Sequence, residues 1–151
     1  MQAAEGNLDI VANTGNIINR GTGVLYSGND VRLSSSGGGY ISNYAGGVIS
    51  AGRDLLANAG TSFTNSGEVF AVGVAAVQAG VNFNNYGLLQ ASTGNLSVST
   101  GGYIINRNTG TLYAEGDVDL GADGYISNYG AIAAAGDFTG CLLYTSPSPR
   151  D

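Results

Sequence analysis

The residues best equipped for chemistry are four acids in the string EGDVDLGADG: Glu115, Asp117, Asp119 and Asp123. Asp117 and Asp119 alternate with Val118 and Leu120, so on an extended strand both carboxylates leave one face. Such a pair suits a calcium ion, or the acid and base of glycosidic cleavage. The wider inventory gives that site little company. The chain has no His and a single Cys, which removes nucleophilic triads and His/Cys metal clusters together. Asp117 also fills a slot that recurs as Asn7, Asp30, Asp54, Asn95 and Asp137, where an Asx side chain caps backbone at a turn. The Gly-Gly-x-Gly-x-Asp run of calcium-binding nonapeptides does not occur. The expectation is therefore a protein that is not an enzyme, with no catalytic residue, no metal site and no cofactor.

That slot belongs to a repeat. Ile41 to Leu55, ISNYAGGVISAGRDL, shows it whole: apolar-x-Asn, a glycine turn, x-apolar-x-small, then Gly, one residue, Asx and an apolar strand. The Asn falls at Asn19, Asn43, Asn65, Asn85, Asn106 and Asn128, at intervals of 24, 22, 20, 21 and 22 residues. This is the period of solenoids and arrays. Two residues before each Asn stand Ile17, Ile41, Phe63, Phe83, Ile104 and Ile126. Beyond the turn come Leu25, Ile49, Val69, Leu89, Leu112 and Ile132, each followed two positions later by Ser27 or an alanine. The alternation has period two, a strand signature.

Each repeat thus holds three short strands, and a closed coil of three strands is the geometry of a parallel β-helix. The predicted fold is all-β, a parallel β-solenoid of about six coils, with a rod length of roughly 30 Å at the spacing of paired strands. The two apolar columns should form the core stack. The Asn column shares their parity, so it should point inward and form a ladder in which each amide donates to its neighbour's carbonyl. Coil four is the degenerate one: Val72 and Gly73 replace the Gly-Asp turn, with Val74 and Ala76 expected in its first strand. Ser34 to Gly39 is expected as the longest loop. Outside the core, Asp9 and Arg32 share a slot, as do Tyr103 and Tyr125. The positions after the Asn read Arg20, Tyr44, Ser66, Tyr86, Arg107 and Tyr129, a column suited to cation-π pairs and to glycan stacking.

Composition narrows the partners. Five basic residues, all Arg, face eleven acids for a net charge of −6, which argues against nucleic acid and anionic membranes. No apolar run approaches the roughly 18 residues of a membrane helix, so the chain is not expected to span one. The 26 glycines read as turns, because regularly spaced Ile, Val, Leu and Phe are what low-complexity chains lack. Residues 1–140 form the repeat segment. Residues 141–151, CLLYTSPSPRD, hold the only Cys and both prolines and back-translate without mismatch to a transposon-end sequencing adapter read in frame. They are expected to be an artefact of a truncated reading frame and not a domain.

The strings GNLDIVANTGNIINRGTG, YISNYAGGVISAGRDL, FTNSGEVFA, YIINRNTGTLYAEGDVDL and YISNYGAIAAAGDF closely resemble the haemagglutinin repeats of filamentous-haemagglutinin-like exoproteins. These are the secreted partners of two-partner secretion systems, among them adhesins, haemolysins and contact-dependent growth-inhibition effectors. The likeness covers residues 6 to 140. It implies a right-handed β-helix shaft, export by an outer-membrane transporter, a secreted or cell-surface location, and a role in adhesion or toxin delivery, with a host-cell receptor or glycan as contact. No secretion domain and no toxin domain is present in this sequence. The expected function is a structural stalk segment of an adhesin. Two alternatives are a β-helix enzyme acting on polysaccharide through Asp117 and Asp119, and a fibre segment that self-assembles through strand edges exposed at the rod ends.

Overall fold

Side chains alternate sides along a strand, so a repeat that is apolar at every second position closes only if its strands turn those positions toward one axis. The computed structural model, which describes residues 1–142, does this throughout and contains no helix among them. After β1 (Gln2–Ala3), the first coil comprises β2 (Leu8–Ala12), β3 (Ile17–Asn19) and β4 (Val24–Ser27). The second comprises β5 (Val31–Ser35), β6 (Ile41–Asn43) and β7 (Val48–Ala51), and the third β8 (Leu55–Ala59), β9 (Ser62–Asn65) and β10 (Glu68–Ala71). The fourth has β11 (Ala75–Ala79), β12 (Asn82–Asn85) and β13 (Leu88–Ala91), and the fifth β14 (Leu96–Thr100), β15 (Tyr103–Asn106) and β16 (Thr111–Ala114). The sixth has β17 (Val118–Ala122), β18 (Tyr125–Asn128) and β19 (Ala131–Ala134), and β20 (Phe138–Leu142) starts another. Most of the adapter-like stretch, residues 143–151, lies outside the described residues.

Each coil gives one strand to each of three parallel sheets. One sheet runs β2-β5-β8-β11-β14-β17-β20, a second β3-β6-β9-β12-β15-β18, and a third β1-β4-β7-β10-β13-β16-β19. The solenoid therefore has about seven turns and not about six: six complete coils, with β1 and β20 belonging to partial turns at either end. Counting by the Asn column misses both, since neither end strand carries that Asn.

The interior consists of the two apolar columns and their neighbours. Ile17, Ile41, Phe63, Phe83 and Ile104 are buried, as are Leu25, Ile49, Val69, Leu89 and Leu112. Ile126 and Ile132 are only partly buried, because among the described residues only β20 lies beyond their coil. Bulk is balanced within a coil. Where Phe63 and Phe83 replace isoleucine, stacked at 5.7 Å between centroids and 10° between planes, the buried positions of β8 and β11 include Ala57, Ala59, Ala75 and Ala79. The sum of volumes stays near what one tube cross-section holds.

Two expectations need correction. In coil four the buried residues of β11 are Ala75, Val77 and Ala79, whereas Val74 is 42% exposed and Ala76 faces outward. Val74 fills the Asx slot itself, one residue later than the expected alignment, because Ala75 pairs in register with Leu55 and Leu96. The loop expected at Ser34 to Gly39 begins only at Ser36: Ser34 and Ser35 belong to β5, and the buried Ser35 Oγ donates to the Gly15 carbonyl at 2.7 Å. Close approach of coils also explains one glycine column. A Cβ on Gly87 would lie on the Gly67 carbonyl oxygen of the preceding coil, well inside contact distance.

Phe63 sits fully buried in the middle of the rod. Its replacement by Ala is expected to cost about 3–5 kcal/mol, read as a shift in the urea unfolding curve. The Phe63→Ala/Phe83→Ala double variant should cost less than the sum of the two singles, because each single already removes the stacked pair.

Candidate functional site

The four acids come apart in the structure. Asp119 projects from β17 into solvent, while Asp117 precedes that strand and its Oδ1 accepts the Asp137 backbone N–H at 2.8 Å. The same bond recurs down the column. Asn7 Oδ1 accepts the N–H of Asp30 at 3.2 Å, Asp30 that of Asp54 at 3.4 Å, Asp54 that of Val74 at 2.8 Å, and Asn95 that of Asp117 at 2.8 Å. Each Asx side chain thus caps the equivalent residue of the next coil. Val74 receives a cap and offers none, so the column is broken once. A Cβ on Gly116 would fall on Asn95 Oδ1, which is why glycine precedes the Asx there. Glu115 accepts the Tyr113 hydroxyl, and that bond to a carboxylate holds the phenol above its ordinary pKa. No group of three or more His, Cys, Asp or Glu able to hold a metal occurs among the described residues.

The asparagine column is the most regular polar feature. Asn19 Nδ2 donates to Asn43 Oδ1 at 2.8 Å, and the series continues from Asn43 to Asn65, Asn65 to Asn85, Asn85 to Asn106 and Asn106 to Asn128, each at 2.9 Å. Every donor nitrogen also reaches a main-chain carbonyl on its own coil or the next, for example Asn43 to Gly47 at 3.1 Å and Asn106 to Ala131 at 3.0 Å. Asn65 Oδ1 additionally accepts the Gly67 N–H at 3.2 Å. Asn19, Asn43, Asn65, Asn85 and Asn106 are buried, and Asn128 at the last complete coil is exposed. An amide inside an apolar tube costs free energy unless its hydrogens and lone pairs are used, and here its neighbours in the row use them.

A model of the haemagglutinin repeat matches residues 3–102 and again 91–139, nearly the whole of the coiled region. The chain belongs to the haemagglutinin repeat family. No curated protein and no solved structure matches it.

The surface of these haemagglutinin repeats carries the stacks that the period predicts and, at Asp30, an ion pair that it does not. Asp30 is buried at the start of coil two yet binds two arginines: Arg53 Nε and Nη2 donate to its two oxygens at 2.7 Å each, and Arg32 Nη2 donates to Oδ2 at 2.6 Å. Arg32 also lies 3.4 Å from Asp9 on the coil before. The bidentate Arg53 pair, set against the cost of burial and aided by the Asp54 N–H, lowers the Asp30 pKa to about 2. Farther along, Arg20 lies over Tyr44 and Arg107 over Tyr86, each 5.5 Å from the ring centroid. Tyr103 stacks on Tyr125 at 5.2 Å and 13°.

Asn65 has both amide neighbours in the row. Asn65→Ala strands the Asn85 acceptor and leaves the Asn43 amide only its main-chain acceptors, and is expected to cost about 1–3 kcal/mol in urea unfolding. Asn128→Ala, at the exposed end, should cost about 1 kcal/mol or less. The Asp30 shift fixes a pH window. Its carboxylate is favoured in the folded state, so the stability it contributes is complete above the ordinary carboxylate pKa of about 4 and is lost as pH falls toward about 2. Thermal melting between those limits should fall more steeply for the wild type than for Asp30→Asn.

Proposed function

We propose that the chain is a length of shaft in a secreted or cell-surface bacterial adhesin, holding distal domains away from the cell and offering its flank to host or neighbouring cells. The observation that carries this reading is the unbroken amide ladder. Every coil is tied to the next by the same side-chain bond as well as by backbone, which suits a stiff spacer. Membership of the haemagglutinin repeat family supports the surface location. Among the described residues no helix is long and apolar enough to cross a membrane.

In this reading the coil winds right-handed, as parallel crossovers within one sheet nearly always do. Export proceeds through the outer-membrane barrel transporter of a two-partner system. Coils that contact only their neighbours can form one after another as they emerge, and the net charge of −6 suits the surface poorly to nucleic acid. In this reading the shaft performs no catalysis, and the engagement of Asp117 Oδ1 with the Asp137 N–H supports a capping role for that residue.

Antibody raised against the purified chain should label intact, unpermeabilised cells that produce the protein from its natural gene. The label should disappear when the co-encoded barrel transporter is deleted. Antigen detectable only after permeabilisation in both strains would contradict the proposal.

A further inference from the structure

Side chains on the outer face of the second sheet fall into three columns that run along the rod. The first holds Tyr40, Tyr103 and Tyr125 among Asn and Ser, the second reads Ile18, Ser42, Thr64, Asn84, Ile105 and Ser127, and the third is the Arg20 to Tyr129 series that follows the asparagines. Six of the nine tyrosines lie on this face. Tyr44, Tyr86, Tyr125, Tyr129 and Ile18 are each at least 37% exposed. Charge is as unevenly placed as the rings. The chain has eleven acids, yet none stands in the three columns. Glu5, Asp30, Asp54, Glu115, Asp117 and Asp137 lie at the turn from the third sheet to the first, the corner that the second sheet does not share. Tyrosine and arginine without Asp, Glu or Lys is the composition of a buried protein interface, and here it faces solvent.

The order of residues within the columns names the partner. Laid on its own reverse, the third column sets Arg20 against Tyr129, Tyr44 against Arg107 and Ser66 against Tyr86. The second sets Ile18 against Ser127 and Ser42 against Ile105. Each guanidinium therefore meets a ring, no two arginines meet, and Tyr86, Ile18 and Ile105 each meet a serine. Only Tyr40 against Tyr103 sets ring on ring. Both guanidiniums are already held over rings of their own chain, Arg20 over Tyr44 and Arg107 over Tyr86. A two-fold axis along the strands produces this match, because it inverts the rod and keeps every column on itself. An axis along the rod instead lays the third column on the first, with Tyr44 on Tyr40, Tyr129 on Tyr125 and Ser66 on Ser62. Rings would then prop the faces apart where the serines leave a hollow. Glu68 and Asp123 stand at the margins of the face, on rungs whose antiparallel counterparts carry no acid there.

We propose that the outer face of the second sheet binds a second copy of this chain, rod antiparallel to rod, through that two-fold match. Six rungs at 4.8 Å and three columns about 6.6 Å apart cover roughly 550 Å² on each copy. That is less than the standard of about 800 Å² per partner, so the pair is reversible. The cation-π contacts across it repeat the ones each chain makes within itself. Shafts rooted in one surface run side by side in the same direction, so an antiparallel pair joins shafts that approach from opposite directions. That setting rests on the surface-shaft reading, but the pairing is a property of the isolated chain.

The test is sedimentation equilibrium of the purified chain, which should show a monomer–dimer equilibrium with a dissociation constant of about 1–100 μM. Tyr129→Arg sets a cation against Arg20 twice in the symmetric pair and should weaken it about tenfold. Adding Arg20→Glu to that variant should restore the dimer, because the two positions meet only in the antiparallel register. Tyr26→Arg makes the same change of charge on the third sheet and should leave the equilibrium unaltered. All three positions are exposed, so the circular-dichroism melts should coincide with that of the wild type. A chain that stays monomeric, association that continues beyond the dimer, an undiminished Tyr129→Arg dimer, or a double variant that does not recover overturns the proposal. Monomeric behaviour with surface labelling intact removes the pairing and leaves the shaft. A dimer whose antigen is confined to the cell interior removes the shaft and leaves the pairing.

Discussion

One distance governs this molecule: the rise of about 4.8 Å between hydrogen-bonded strands. Because every coil lies one such step from the next, any group repeated at the same place in each coil finds its own kind above and below. The backbone uses this in all three sheets. Asparagine amides repeat the bond inside the tube, Asx carboxylates and amides repeat it at the turn before the five-residue strands, and aromatic rings repeat it as stacks. Four kinds of ladder follow from a single translation.

The buried amides also fix register. A slip of one residue in the second sheet would exchange inward and outward sides, placing Asn43 or Asn65 in solvent and Ser42 or Thr64 in the core. Such a slip would forfeit both apolar burial and the amide row. Intervals between successive asparagines nevertheless vary from 20 to 24 residues. The variation is absorbed where the chain turns: Gly37 and Gly38, both in the left-handed region at φ 63° and 90°, belong to the longest interval. The five-residue strands β2, β5, β8, β11, β14, β17 and β20 keep their length, while the corners and the three- or four-residue strands of the second sheet take up the difference.

The outward positions carry no such constraint, so the same scaffold supports unlike surfaces on different coils. Coils one to three have the Asp9, Arg32, Asp30 and Arg53 network, and coils one to five the Arg–Tyr column with its gap at Ser66. Apart from Asp30, which is buried and caps the Asp54 N–H, these groups are held at rung spacing without contributing to closure of the tube. An inward substitution is therefore felt along the stack, whereas an outward one changes only the local surface.

The sequence by itself determined the strand class, the inward parity of the asparagines and of the two apolar columns, and the recurrence of the Asx slot. Side-chain alternation is local to a strand, and a period near 22 residues can be read without knowing what lies above. The exception shows the limit. Val72 to Ala76 is apolar at both parities apart from Gly73, so its inward set could not be read locally, and only pairing of Ala75 with Leu55 and Leu96 placed Val74 in the Asx slot. Tertiary structure alone decided the number of turns and the Arg53–Asp30 pair. Each depends on which residue stands on the neighbouring rung, and that is settled by turn lengths and axial register once the coils have closed.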